Sequence, residues 1–160
     1  MFFSFDGIDG VGKSTQIHLF LEWLRNQGHA VTSCRDPGST PLGEKIREVL
    51  LAHDEQVVID RRAEMLLYMA ARAQLVEQVI RPAMARGEIV VSDRFLLANV
   101  VYQSYAGGLD LDQVKQVGEV AIAGVRPDVV FLLDMPVEMA DKRLGRALHR
   151  MESQGREFRE

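Results

Sequence analysis

Cysteine occurs once in the 160 residues, at Cys34. No intramolecular disulfide and no metal site made of cysteines alone can therefore form, and a reducing compartment fits. No apolar run approaches the roughly 20 residues of a membrane-spanning helix. The opening MFFSFDG lacks the basic start and long apolar core of a secretion signal, so a soluble, cytoplasmic chain is expected. A collagen-like glycine period, low-complexity tracts, internal repeats and linkers are also missing, which excludes fibrous and disordered classes. Neither sign of charge is in excess: 19 Lys+Arg against 23 Asp+Glu leave a net −4. That balance argues against a protein built to coat nucleic acid or an anionic membrane. What remains is 47% hydrophobic and 26% charged residues at a single-domain length.

The charge is uneven along the chain. Residues 141–160 hold six basic side chains, Lys142, Arg143, Arg146, Arg150, Arg156 and Arg159, against four acids. They form either a solvated helix face or an arginine segment that meets a small polyanion. Upstream, Phe2, Phe3 and Phe5 read as a buried strand broken by Asp6-Gly7. Lys13 to Gln27 carries its apolar residues mostly on one helical face and stops at Gly28. A second strand is expected at 30–34, followed by a turn-rich segment, Asp36 to Thr40. Helical patterning covers 42–52 and 60–85, with Pro82 near the end of the latter. The run EIVVS at 88–92 reads as a strand closed by Asp93-Arg94. Helices are expected at 96–105 and 110–123, a strand at 129–133, and a further helix from Pro136 towards Gly145. Apolar strands alternating with helices imply an α/β fold, a three-layer sandwich with a mainly parallel sheet and helices on both faces.

Residues 7–15 read GIDGVGKST, which fills the phosphate-loop pattern G-x-x-x-x-G-K-[ST] between a strand and a helix. Gly7, Gly10, Val11 and Gly12 would wrap backbone N–H groups around an anion, aided by the positive end of the helix dipole, with Thr15 at the helix start. Lys13 would reach the β- and γ-phosphates, and the Ser14 hydroxyl would ligate Mg²⁺. Such a cradle indicates a nucleotide without naming the reaction. A separate base-reading Asn-Lys-x-Asp segment, expected of a signalling GTPase, does not occur, and an ATP-driven motor needs more chain. Movement of one phosphoryl group between two bound nucleotides suits a small domain, because that chemistry is mainly positioning and charge neutralisation.

Beyond the loop, several segments are more specific. They are Arg35-Asp36-Pro37-Gly38-Ser39-Thr40, the helix AEMLLYMAARAQ at 63–74, and Asp93-Arg94-Phe95 with Asn99 and Tyr102-Gln103 downstream. Arg126-Pro127-Asp128, Leu132-Leu133-Asp134 and the arginine-bearing segment at 143–152 complete them. On these residues the chain resembles the thymidylate kinase family, which transfers the ATP γ-phosphoryl group to dTMP. The resemblance implies that Asp9 accepts a hydrogen bond from the sugar 3′-hydroxyl, Tyr68 stacks on thymine and Arg72 donates to the base carbonyl. It further implies that Arg94 touches donor and acceptor phosphates together, Asp93 organises the Mg²⁺ shell and Tyr102 lies under the sugar C2′. Asn99 and Gln103 would complete the base edge, and Asp36 would belong to the substrate site. Arg47 is either a phosphate contact or a helix-surface residue. Arg143 resembles the residue that packs on adenine, and Arg146 and Arg150 resemble arginines of a lid at about 143–156. Gly10, where some members carry arginine, points to the arrangement with the positive charge in the lid. ATP and Mg²⁺ as cofactors and a homodimer through helices beside the sheet also follow from the resemblance.

The sequence departs from the family pattern in places. Asp36 stands for a usual glutamate, Ser39 for a usual glycine, Ala98 for a common serine and His149 for a common acid. Members usually continue for several dozen residues past this point, so a C-terminally shortened chain is expected. Three rivals stay open: a kinase of another nucleoside monophosphate, a nucleotide-binding module without turnover, and an interaction domain using the basic tail.

Overall fold

A computed structural model of the protein describes residues 1–52 and 58–144. Four parallel strands form the sheet: β1 (Phe2–Asp6), β2 (Val31–Arg35), β3 (Ile89–Asp93) and β4 (Val129–Leu132), in the spatial order β2-β3-β1-β4. The register sets Phe3 of β1 opposite Val91 and Val129, and Cys34 of β2 opposite Ser92. Parallel neighbours need crossover connections, and helices supply them.

The two-residue period of β1 divides the core. Phe2 packs with Cys34 and Val90 against Leu75, Val76, Ile80 and Ile122 on one face of the sheet. Phe3 and Phe5 pack with Val91 against Ile17, Leu21 and Leu24 on the other. The second set belongs to helix α1 (Lys13–Asn26), whose apolar stripe runs at helical spacing. Phe3, Phe5, Phe20 and Phe131 extend that layer as an aromatic cluster, with Phe5 and Phe131 centroids 4.8 Å apart. Such pairs contribute about 0.5–1.5 kcal/mol each beyond area burial. Burial also pushes the Cys34 thiol up to about 12, so the lone cysteine is an inert core residue.

The opposite layer differs in detail from a single helix at 60–85. It is α3 (Arg61–Leu75), a π-helical turn at Val76–Ile80, and α4 (Arg81–Ala85). Pro82 has no N–H to give to a residue one turn back. The wider π turn, closed by the Arg81 N–H to the Val76 carbonyl, carries the rod past it. Residues 96–105 likewise divide into α5 (Leu96–Asn99) and a π-helical segment, Val100–Tyr105. Helix α2 (Pro41–Leu51) begins at Thr40, whose hydroxyl accepts from the Gly43 N–H at 2.9 Å. Helix α6 (Leu111–Ile122) is capped by Asp110, and α7 (Val137–Leu144) follows β4.

Candidate active site

Strand ends converge at one edge of the sheet. The Arg94 N–H donates to the Phe5 carbonyl (2.9 Å), the Asp36 N–H to the Asp93 carbonyl (3.0 Å) and the Leu133 N–H to the Asp6 carbonyl (2.9 Å). The segments after β1, β2 and β3 are thereby held side by side at their carboxyl ends, where open α/β sheets bind ligands. They border a cavity of about 650 Å³.

The phosphate loop forms one end of it. Gly12 caps α1 with φ 104° and no side-chain hydrogen bond, leaving the first-turn N–H groups for a ligand. Gly10 has φ 84°, and a Cβ there would lie 2.4 Å from the Ala140 carbonyl oxygen of α7. A side chain at position 10 is therefore excluded with α7 packed on the loop, which is the physical counterpart of the glycine found there. Lys13 is buried, and its Nζ donates to the Gly7 and Ile8 carbonyls at 2.9 Å each and to Asp9 Oδ1 at 3.2 Å. Burial, then the Arg94 charge, lowers the Lys13 pKa, with Asp9 opposing. Arg94 Nη2 donates to the same Asp9 oxygen at 2.7 Å, and its guanidinium lies 5.3 Å from the Tyr102 ring centroid. One carboxylate oxygen thus bridges the two cations Lys13 and Arg94. Arg94 adopts φ 67°, a conformation costing a non-glycine residue roughly 1–2 kcal/mol and typical of sites that impose a geometry.

The far end is a buried polar cluster. Arg72 is 1% exposed. Its Nε donates to Asp36 Oδ2 at 2.5 Å, and its Nη2 donates to the Phe95 carbonyl at 3.3 Å and to Asn99 Oδ1. Asn99 Nδ2 donates in turn to Gln103 Oε1 at 2.7 Å, and Gln103 Nε2 donates to Glu64 Oε1 at 3.1 Å. Burial raises the Asp36 carboxyl above its ordinary range, and the Arg72 guanidinium opposes that rise. Burial likewise raises the Tyr68 phenol, so the ring is neutral at pH 7. Ser39, in place of a usual glycine, holds φ 60°, the left-handed conformation a glycine takes without strain.

The cavity is lined by Asp9, Gly10, Gly12, Lys13, Ser14, Thr15, Asp36, Arg47, Tyr68, Arg72, Asp93, Arg94, Asn99, Tyr102, Gln103 and Arg143. Gly7 and Val11 stand behind it: Val11 is buried, and a Cβ on Gly7 would meet the Leu133 carbonyl oxygen at 2.4 Å. Arg47 faces the cavity and donates to the Pro37 carbonyl at 3.0 Å, so it is not a free helix-surface residue. Asp36 does not stand alone as a substrate contact; Arg72 engages one of its oxygens within the wall. Arg146, Arg150 and the remainder of the lid segment lie outside the described residues. Arg35 and Glu64 were not expected in or behind the site. Arg35 lines the cavity and pairs with Glu44 at 2.6 Å. The available signal for Glu64 was its spacing, four residues before Tyr68 and eight before Arg72 on one helix.

A parallel sheet with a glycine-lined loop between its first strand and first helix places the chain in the α/β class, with the loop pattern of phosphate-loop proteins. The thymidylate kinase family model matches residues 5–160. The chain is 50% identical to a thymidylate kinase of Rhodopirellula baltica over 96% of its own length and 62% of the relative's. It is 44% identical to that of Thermosipho africanus over 100% of its length and 79% of the relative's. A crystal structure of thymidylate kinase from Ehrlichia chaffeensis superposes with a TM-score of 0.78 at 34% identity, covering 89% of this chain and 81% of that one. The chain belongs to the thymidylate kinase family. It spans under two thirds of the Rhodopirellula relative's length.

Proposed function

We propose that this chain transfers the γ-phosphoryl group of ATP to dTMP, giving dTDP and ADP. The observation that carries the reading is one cavity with an anion cradle at one end and a buried hydrogen-bonding cluster at the other, and Arg94 between them. A phosphate oxygen of dTMP, already anionic, attacks the γ-phosphorus. The bond to the β–γ bridging oxygen breaks and its electron pair leaves on ADP, so no side-chain base is required. Lys13, released from the Gly7 and Ile8 carbonyls, would hold the β- and γ-phosphates. Arg94 would span both phosphoryl groups and spread the transition-state charge through its planar fork. Asp9, relieved of its bridging role, would accept from the 3′-hydroxyl. Tyr68 would stack on thymine, Arg72 would donate to its carbonyl, and Asn99 and Gln103 would meet the remaining edge. Tyr102 would fill the space of a ribose 2′-hydroxyl. Arg47 and Asp36 would steady the acceptor phosphate and the base-reading arginine, and Arg143, Arg146 and Arg150 would close on ATP.

The Ser14 hydroxyl and the Asp93 carboxylate border the cavity beside the loop, an oxygen donor pair that suits Mg²⁺. When bound, that ion would neutralise charge on the donor phosphates. Among the described residues, no helix is long and apolar enough to cross a membrane. A cytoplasmic homodimer completes the proposal, with the 53% exposed Leu66 of α3 as apolar surface for the second copy.

The test is ADP release from Mg·ATP by the 160-residue chain with dTMP, dUMP, dCMP, AMP and GMP as acceptors, and Lys13→Ala as the blank. Highest turnover with dTMP is expected. Turnover led by another acceptor would overturn the base-reading assignment, and dTMP binding with no turnover would leave a nucleotide-binding module.

A further inference from the structure

Glu64 is 1% exposed and does not border the cavity, so it is a carboxylate set behind the wall of the site. A buried carboxylate is costly unless hydrogen-bonded, and a leucine or methionine would serve packing better. A row of hydrogen bonds leads from it to the base-reading residues: Gln103 Nε2 donates to it, Gln103 Oε1 accepts from Asn99 Nδ2, and Asn99 Oδ1 accepts from Arg72. Gln103 and Asn99 are themselves 1% and 2% exposed, so these bonds are buried with the groups that make them.

The order of donors and acceptors in this row is dictated by its ends. A guanidinium only donates and an ionised carboxylate only accepts, whereas each amide has one end of either kind. With Arg72 at one end and Glu64 at the other, a single orientation of both amides satisfies every bond. Reversing either would set two donors or two acceptors against each other. Arg72 orients Asn99, and Gln103 is held at both ends of its amide, by the Asn99 Nδ2 donor at 2.7 Å and by the Glu64 acceptor at 3.1 Å. That orientation matters because the pyrimidines differ in polarity along the edge such groups would read. Thymine offers an N3–H donor beside an O4 acceptor, and cytosine offers an N3 acceptor beside an N4 amino donor.

We propose that Glu64 is a positioning residue for base selection, locking the amides of Gln103 and Asn99 in the one polarity that admits thymine and refuses cytosine. The inference rests on the dTMP reading given above. Glu64 touches no substrate; it acts through Gln103.

The experiment compares Kd for dTMP and dCMP by calorimetry, with kcat and KM for dTMP, in the full chain and in Glu64→Leu, Glu64→Gln and Gln103→Met. Loss of a hydrogen bond to a charged group corresponds to at least about a tenfold change. Glu64→Leu is expected to lower the dTMP/dCMP selectivity about tenfold or more, through tighter dCMP or weaker dTMP binding, with kcat within about threefold. Glu64→Gln keeps an acceptor oxygen and should retain most of the selectivity. Gln103→Met removes the residue through which Glu64 acts, so a folded Gln103→Met that keeps full selectivity refutes the proposal even if Glu64→Leu does not fold. Unchanged selectivity in Glu64→Leu with a lowered urea midpoint, or in a folded Gln103→Met, would reduce Glu64 to a structural residue and overturn the proposal. Equal losses in Glu64→Gln and Glu64→Leu would overturn it too, because charge rather than hydrogen-bond polarity would then matter. If the unaltered chain itself fails to prefer dTMP to dCMP, the functional reading fails independently of Glu64, and the inference falls with it.

Discussion

Removing the Asp36 carboxylate tests whether the Arg72 cluster is the desolvated network its geometry indicates. The Arg72 side chain is 1% exposed and the Asp36 side chain 0%, with Nε and Oδ2 2.5 Å apart. In Asp36→Ala the guanidinium keeps its bonds to the Phe95 carbonyl and Asn99 but loses its counter-charge. Stranding one member of a buried ion pair costs about 3–5 kcal/mol, a large share of the roughly 5–15 kcal/mol that stabilise a domain. For a chain of this size the loss corresponds to a melting temperature about 6–20 °C lower. Urea unfolding with a slope of about 2 kcal/mol/M would show the midpoint falling by about 1.5–2.5 M. The companion variant Asp36→Ala/Arg72→Met removes both charges. It should recover part of the loss, because no buried charge is then left unpaired, although the Phe95 carbonyl and Asn99 Oδ1 lose the donor Arg72 supplied. A loss below about 1 kcal/mol in the single variant, or a double variant no more stable than the single, would refute the reasoning.

Two other outcomes are expected. Arg94→Ala should lower turnover about 10³-fold or more while dTMP and ATP affinities stay within about tenfold, since its charge acts chiefly on the transferring phosphoryl group; unchanged turnover in steady-state assays would remove Arg94 from the mechanism. Asp6 is 2% exposed, and its Oδ1 lacks a partner among the described residues. Burial raises its carboxyl from 3.8 to about 6 against the opposing Arg94 charge. The unfolded chain therefore gives up this proton first as pH rises from about 4 to 6, and stability present below that window is lost across it, by about 3 kcal/mol. Unfolding free energies of the chain minus those of Asp6→Asn should fall over this range, and a flat or rising difference would show that Asp6 stays solvated.

Local pattern was enough to place the strands and the phosphate loop, because each depends on neighbours close in sequence, whereas most other cavity residues were expected from the resemblance to the thymidylate kinase family. Alternation in Phe2–Asp6 sorts side chains to two faces of a strand, and GIDGVGKST supplies its own turn, cradle and helix start. The π-helical turns at Val76–Ile80 and Val100–Tyr105 were not legible, because the same apolar spacing fits an uninterrupted helix. Nor was the row from Asp36 through Arg72, Asn99 and Gln103 to Glu64, whose members come from four segments up to 67 residues apart by their numbers. Propensity and periodicity say that a carboxylate lies on a helix face; they do not say what that face meets. Only tertiary packing, with α6 seated against both α3 and the π-helical segment Val100–Tyr105, buries these groups, and once buried each must satisfy its hydrogen bonds with another. The sequence by itself determined the family, the sheet and the anion cradle; the tertiary structure decided which polar groups speak to one another, and in which direction.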